Sequence, residues 1–194
     1  RSGADLAYVS MVNSEHARWT RRCLEAGLHV VVDKPSCLRP EDARQVVDLA
    51  EAKRCCVAEA TVFSFHPQFA ALGRTFEDAG NRPTRVTAVF SFPPFEPGDF
   101  RNRRELGGGA FYDLGPYVAA TSRIVFGRAP RAIACEVVSR NHDGLDTGFS
   151  TLLTYDDGGA FIGHFGFNTE YQNRLFELGS GLAVEIHRAF TLPP

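Results

Sequence analysis

Residues 107 to 117 read Gly-Gly-Gly-Ala-Phe-Tyr-Asp-Leu-Gly-Pro-Tyr. Asp113 and Tyr117 are four positions apart, so on a helix they sit one turn apart on one face. A carboxylate beside a phenol is a proton-handling pair. Upstream, Asp33-Lys34-Pro35 follows the apolar run His29-Val-Val-Val32, which places a lysine at the end of a buried strand. Acid, cation and carboxylate together are the equipment for reducing a carbonyl. Each residue also has a plainer reading: Asp113 as a helix cap, Tyr117 packed with its hydroxyl at the surface, Lys34 as a solvated loop lysine. A free phenol titrates near ~10, so acid catalysis asks for a nearby cation to ease proton loss, and Lys34 is the natural partner.

Other polar residues gather around this pair of segments. Asn13 and His16 fall at the carboxyl end of the first strand, where a ligand of a parallel sheet binds; a place in the first helical turn is the plainer role for His16. Arg101, Arg103 and Arg104 precede the glycine run, and their guanidinium forks suit a phosphate or carboxylate. A solvated charge run is the alternative. Gly107-Gly108-Gly109 meets neither the Walker nor the dinucleotide spacing, so close packing at a domain junction is expected of it. His66, His164 and Asn168 are scattered polar residues. No His, Cys and carboxylate spacing suits zinc, so no metal is expected, and no Ser or Cys lies in a nucleophile motif.

Elements must bring these residues together. Residues 7–12 read as a strand, 14–26 as a helix with Ser14 as N-cap and Gly27 as stop, and 29–33 as a second strand. Pro40 opens a second helix whose Ala43, Val46, Val47 and Ala50 follow the helical period. Residues 55–59 read as a third strand, with Cys55 and Cys56 buried in it. A short helix follows Pro67 and runs to about Gly80. Strand-helix alternation argues for a parallel sheet with right-handed crossovers. In the second half, residues 84–92 alternate, 93–106 form a loop, and a helix runs over 113–126 with Pro116 in its first turn. Strands follow at 131–139, 147–156, 160–168, 172–178 and 182–187, with turns at 156–159 and 179–181 that suit antiparallel hairpins. The fold class is α/β: the carboxyl-terminal part of a Rossmann-like sheet over 1–60, then an α+β domain over 61–194 with a large, mainly antiparallel open sheet. Helix 113–126 should cover one face of that sheet. The other face should carry Phe161, Phe165 and Phe167, or their alternates, and form a homo-oligomer, most simply a dimer.

Composition narrows the partners. Lys and Arg number 21 against 23 Asp and Glu, a formal net charge of −2, which gives no support to nucleic-acid or membrane-surface binding. No apolar run reaches the length of a membrane span and no secretory signal opens the chain. Five cysteines without C-x-x-C spacing fit reduced thiols in a cytoplasmic protein better than a disulfide framework. The chain opens at Arg1 without methionine and closes on Pro193-Pro194, so it is expected to be the middle of a longer protein.

Five segments, in order, resemble the glucose–fructose oxidoreductase / inositol dehydrogenase / rhizopine-catabolism (Gfo/Idh/MocA) family: 12–16 (Val-Asn-Ser-Glu-His), 24–30 (Leu-Glu-Ala-Gly-Leu-His-Val), Asp33-Lys34-Pro35, Glu59-Ala60 with 65–68 (Phe-His-Pro-Gln), and 107–117. The resemblance implies a Rossmann domain joined to an α/β domain, and hydride transfer between NAD or NADP and a sugar, polyol or related carbonyl. It assigns Lys34, Asp113 and Tyr117 to catalysis and Asn13, Asp33 and Lys34 to the cofactor, where His16 is expected to join them from its place at the strand end. Arg101, Arg104 and His66 fall to the substrate. Tyr117 replaces a frequent catalytic His, as in the sugar-nucleotide ketoreductase branch, where Tyr donates the proton. Asp33 stands where Glu is usual, and Val12 where Pro is frequent. The G-x-G-x-x-G turn is absent from these residues, and a last helix and strand of the family would follow residue 194. An enzyme acting on a keto-sugar or sugar nucleotide is therefore expected from the longer protein, with this chain alone inactive. A non-enzymatic sugar-binding or dimerisation module is the other reading.

Overall fold

The computed structural model describes residues 3–191. The first unit is a parallel sheet in the order β1 (Leu6–Val9), β2 (His29–Asp33), β3 (Val57–Ala60). Helices α1 (His16–Glu25) and α2 (Pro40–Lys53) make its crossovers and pack against each other. Val9, Leu24, Val30, Val32, Val46 and Ala50 form its core. Pro40 does open α2 at its first turn, where its missing N–H costs nothing. Gly27 stops α1 at φ 83°, a conformation that lacks a steric penalty only in glycine.

Ser14 is not a cap. Residues Asn13–Glu15 wind as a 3-10 turn, and neither that turn nor α1 has a side-chain cap. The Glu15 N–H instead reaches the Val12 carbonyl at 2.9 Å, so backbone closes the turn that the serine was expected to close. Cys55 and Cys56 precede β3 rather than lying in it; Cys55 is half-buried and Cys56 exposed.

The second unit is a six-stranded sheet in the order β5 (Ala132–Arg140), β6 (Asp146–Thr154), β7 (Ala160–Gly166), β4 (Arg85–Ser91), β8 (Gln172–Leu178), β9 (Ala183–His187). Consecutive strands pair as hairpins, but β4 enters the middle, parallel to β7 and antiparallel to β8. Helices α3 (Pro67–Asp78) and α4 (Ala110–Phe126) contribute Phe69, Leu72, Phe76, Leu114 and Val118 to the core over one face. Phe161, Phe165 and Phe167 are buried in that core. The open face carries their alternates: Leu152, Ile162, Thr87, Phe176 and Glu185 lie in one cross-strand row. The strand period of two puts the larger aromatics where they bury the most apolar area.

Helix α4 begins at Ala110, three positions earlier than its sequence suggests, so Pro116 lies in its interior. The early start is capped from outside. The Phe111 N–H donates to the Asp146 carboxylate at 2.7 Å, and a carboxylate at a helix N-terminus satisfies both an orphan donor and the helix dipole.

Candidate active site

Three strand ends and one helix build a cleft. Because β1, β2 and β3 are parallel, their carboxyl ends share one edge of the sheet, the edge where ligands of such sheets gather. Asn13 follows β1, Lys34 directly follows β2, and Ala60 ends β3. All three line a cavity of about 390 Å³ together with Arg101, Asp113 and Tyr117.

The glycine run lets α4 approach this edge. A Cβ on Gly107 would lie 2.8 Å from the Asn13 Cβ and 2.9 Å from Leu38 Cδ1. One on Gly108 would lie 2.6 Å from the Arg101 carbonyl oxygen, and one on Gly109 2.6 Å from the Asp146 carboxylate. Each glycine is therefore a contact and not a hinge. Asn13 closes the junction: its Nδ2 donates to the Gly107 carbonyl at 3.0 Å.

Asp113 is 6% exposed and sits between two cations. Lys34 Nζ donates to the Asp113 carbonyl at 2.8 Å and to its carboxylate Oδ1. Arg101 Nε donates to Oδ2 at 3.1 Å. A buried carboxylate needs such charge-assisted partners to offset its lost hydration. Lys34 Nζ also lies 5.3 Å from the centre of the Tyr117 ring. The Tyr117 hydroxyl has no hydrogen-bond partner among the described residues and is open to a ligand. Burial, and then the charge of Asp113, push its pKa up to about 12, while Arg101 pulls the other way. The expected easing of proton loss by Lys34 is thus corrected: Lys34 is engaged by Asp113, and the phenol keeps its proton throughout the neutral range.

The remaining candidates divide. Asp33 accepts from the Tyr8 hydroxyl at the cleft edge. This bond, together with burial, raises the Tyr8 pKa. His16 lines the cleft but is 1% exposed. Its ring nitrogens lie 2.7 Å from the Pro35 carbonyl oxygen and 2.9 Å from that of Met11. It braces the loop after Lys34 and has no nitrogen free for a cofactor. His66 lies outside the cleft and caps α3, its Nδ1 accepting from the Gln68 N–H at 3.3 Å. Arg104 is outside as well, donating to the Gly144 carbonyl at 3.3 Å. Neither lines the cleft, because side chains next to each other in sequence diverge in a turn. Sequence reasoning missed Asp146 and Tyr8. Alternation within β1 signals Tyr8, whereas Asp146 acts only through a strand brought in from 35 residues away. Among the described residues no group of three or more His, Cys, Asp or Glu is placed to hold a metal ion, and no helix is long and apolar enough to cross a membrane.

Two family models match this architecture. Residues 1–61 match the oxidoreductase family NAD-binding Rossmann fold, and residues 79–187 match the GFO/IDH/MocA C-terminal domain. The chain belongs to the GFO/IDH/MocA oxidoreductase family. Within this family, it is 31% identical over its whole length to dTDP-3,4-didehydro-2,6-dideoxy-alpha-D-glucose 3-reductase of Streptomyces violaceoruber, of which it covers 57%. It is 30% identical to D-xylose 1-dehydrogenase (NADP(+)) 2 of Haloferax volcanii, with 98% of the chain and 58% of the relative aligned. The crystal structure of KijD10, a 3-ketoreductase from Actinomadura kijaniata in complex with NADP and TDP-benzene, superposes with a TM-score of 0.91 at 27% identity, covering the whole chain and 60% of KijD10. The chain thus spans under two thirds of the length of these relatives.

Proposed function

We propose that the protein is an NAD(P)-dependent oxidoreductase that reduces the carbonyl of a keto-sugar, with a sugar nucleotide as the substrate class. The observation that carries this reading is the convergence of Lys34, Asp113, Arg101 and Tyr117 in one cleft at the ends of parallel strands. The sugar-nucleotide 3-reductases among its relatives support the choice of substrate.

The cleft fits the nicotinamide end of a dinucleotide. Ser10, Asn13 and the Tyr8–Asp33 pair line it with hydroxyl, amide and carboxylate groups suited to a ribose or a carboxamide. When bound, a reduced nicotinamide supplies hydride to the carbonyl carbon. Tyr117 donates its proton to the carbonyl oxygen; a phenol held near 12 keeps its proton at neutral pH and still yields it to an alkoxide, a much stronger base. Lys34 faces the same space and stabilises the developing negative charge, a preorganised role worth several kcal/mol in a water-poor site. Asp113 and Arg101 hold Lys34 in place. No G-x-G-x-x-G occurs in these 194 residues, so the dinucleotide phosphates lack their usual helix-terminal site here, and this chain by itself binds NADPH weakly. The open sheet face with Leu152, Ile162 and Phe176 is a homodimer surface.

Steady-state oxidation of NADPH by the protein expressed from its native reading frame, with a dTDP-linked keto-sugar, tests the reading. Tyr117→Phe is expected to lower kcat by about 10² to 10⁴ with KM little changed. Wild-type turnover in the Phe variant would remove Tyr117 as the donor.

A further inference from the structure

A lysine has a long, flexible stem, so where its ammonium stands depends on the backbone that bears it. The head of Lys34 is fixed by Asp113. The segment that follows it runs beside open space: Ser36, Cys37 and Leu38 line a groove of about 540 Å³ that faces Tyr112 and Pro116 of α4. Packing alone does not hold such a segment, and its conformation depends on where its backbone polar groups are bound.

Two side chains from different elements bind one peptide group there. Glu59, on β3, stands beside Val32 of β2 in the parallel register, two positions before Lys34. Its Oε2 accepts from the Ser36 N–H at 2.8 Å. His16, from α1, reaches the other side: its Nδ1 lies 2.7 Å from the Pro35 carbonyl oxygen, a hydrogen bond in the tautomer that carries a proton there. The Pro35 carbonyl and the Ser36 N–H belong to the same peptide unit and point in opposite directions. Because that unit is planar, a partner at each end fixes its orientation. His16 is 1% exposed and Glu59 is half-buried, so water competes little for either bond.

We propose that Glu59 and His16 are positioning residues for Lys34. Together they lock the Pro35–Ser36 peptide, and through it they set where the Lys34 ammonium meets the substrate carbonyl. The proposal rests on the reading of Lys34 as the group that stabilises the developing charge. Asp113 fixes the head of that side chain and the Glu59–His16 clamp fixes its root. Both clamp residues act through backbone, so they belong to the site without taking part in hydride or proton transfer.

Steady-state NADPH oxidation by the protein expressed from its native reading frame, with a dTDP-linked keto-sugar, tests it alongside amide hydrogen exchange. Glu59→Leu is expected to lower kcat by about 10- to 100-fold with KM for the sugar little changed, since a displaced charge-stabilising group costs rate. Glu59→Gln keeps an acceptor oxygen for the Ser36 N–H and should stay within about threefold of wild type. His16→Leu should lower kcat in the same way as Glu59→Leu. In a Lys34→Met background, Glu59→Leu should cost nothing further, whereas a general loosening of the fold would lower the residual rate again. Exchange needs no substrate: the Ser36 N–H should exchange at least about tenfold faster in Glu59→Leu and at the wild-type rate in Glu59→Gln. Full turnover in Glu59→Leu, unchanged Ser36 exchange, or a further loss in the Lys34→Met background overturns the proposal. No turnover by the wild type would instead overturn the reading of the cleft, and the positioning role with it, while the exchange rates would still show whether Glu59 holds the peptide.

Discussion

Two carboxylates are buried among the described residues, and they have opposite surroundings. Asp113, on α4, is 6% exposed and lies between Lys34 and Arg101. Glu177, on β8, is 1% exposed, and its Oε1 has no hydrogen-bond partner. Burial alone pushes the Glu177 pKa up to about 7. At Glu177 nothing offsets desolvation, so the proton is held up to about pH 7, and below that the side chain is a neutral polar group within the core. At Asp113 two cations offset it, and the result is a fixed ion cluster in a cleft. A buried acid is thus a sign of a site only when charged partners from other segments meet it. Here they come from the end of β2 and from the loop before the glycine run.

The largest expected effect breaks the Asp113 cluster. Asp113→Leu leaves Lys34 and Arg101 facing a low-dielectric space, and urea unfolding should show a loss of about 3–5 kcal/mol. A loss below about 1 kcal/mol would mean that the cluster is solvated and the contrast with Glu177 is false. Glu177→Gln should act in the opposite direction. The folded pKa of about 7 lies above the ordinary 4.5, so the protonated acid's contribution is complete below about 4.5 and is lost as pH rises through 7. At pH 8 the Gln variant should be more stable than wild type by up to about 3 kcal/mol, and the gap should close toward pH 4.5. A pH-independent difference would count against a buried, unpaired acid.

Tyr117 sharpens the comparison from within the cleft. Its phenol is raised by burial and by Asp113, so stability should fall only as pH climbs from about 10 through 12, and by about 2 kcal/mol. Ultraviolet titration of the phenolate, against Tyr117→Phe, measures it; ionisation of this residue near 9 would sink the account of its environment. The smallest effect belongs to a surface carboxylate. Asp157 pairs with Arg128 and with Arg82, and the Arg128 contact helps hold its pKa near about 2. Asp157→Asn should move the melting temperature only slightly, and less still in high salt, because exposed pairs are screened.

Some of this was readable locally. Pro40 and Gly27 act through their own backbone, and the helix and strand periods of α2 and β4 follow from which residues shun water. Lys34 was legible as a strand-end residue because an apolar run ending in Asp-Lys-Pro carries its own boundary. Asp113 and Tyr117 were legible as one helical face because four positions make one turn. That Arg104 and His66 lie outside the cleft was not legible, because a turn reverses the direction of a side chain without leaving a mark in composition.

What the sequence determined by itself is therefore local: where elements start and stop, which faces are apolar, and which residue types are available for chemistry. The tertiary structure alone decided which of them meet. It inserted β4 between β7 and β8, brought Asp146 to cap α4 three positions earlier than expected, and set Arg101 rather than Arg104 against Asp113. It also decided that Asp113 carries partners and Glu177 does not. The physical reason is that hydrogen bonds and ion pairs depend on ångström distances between segments dozens of residues apart, and such distances exist only once the sheets have packed.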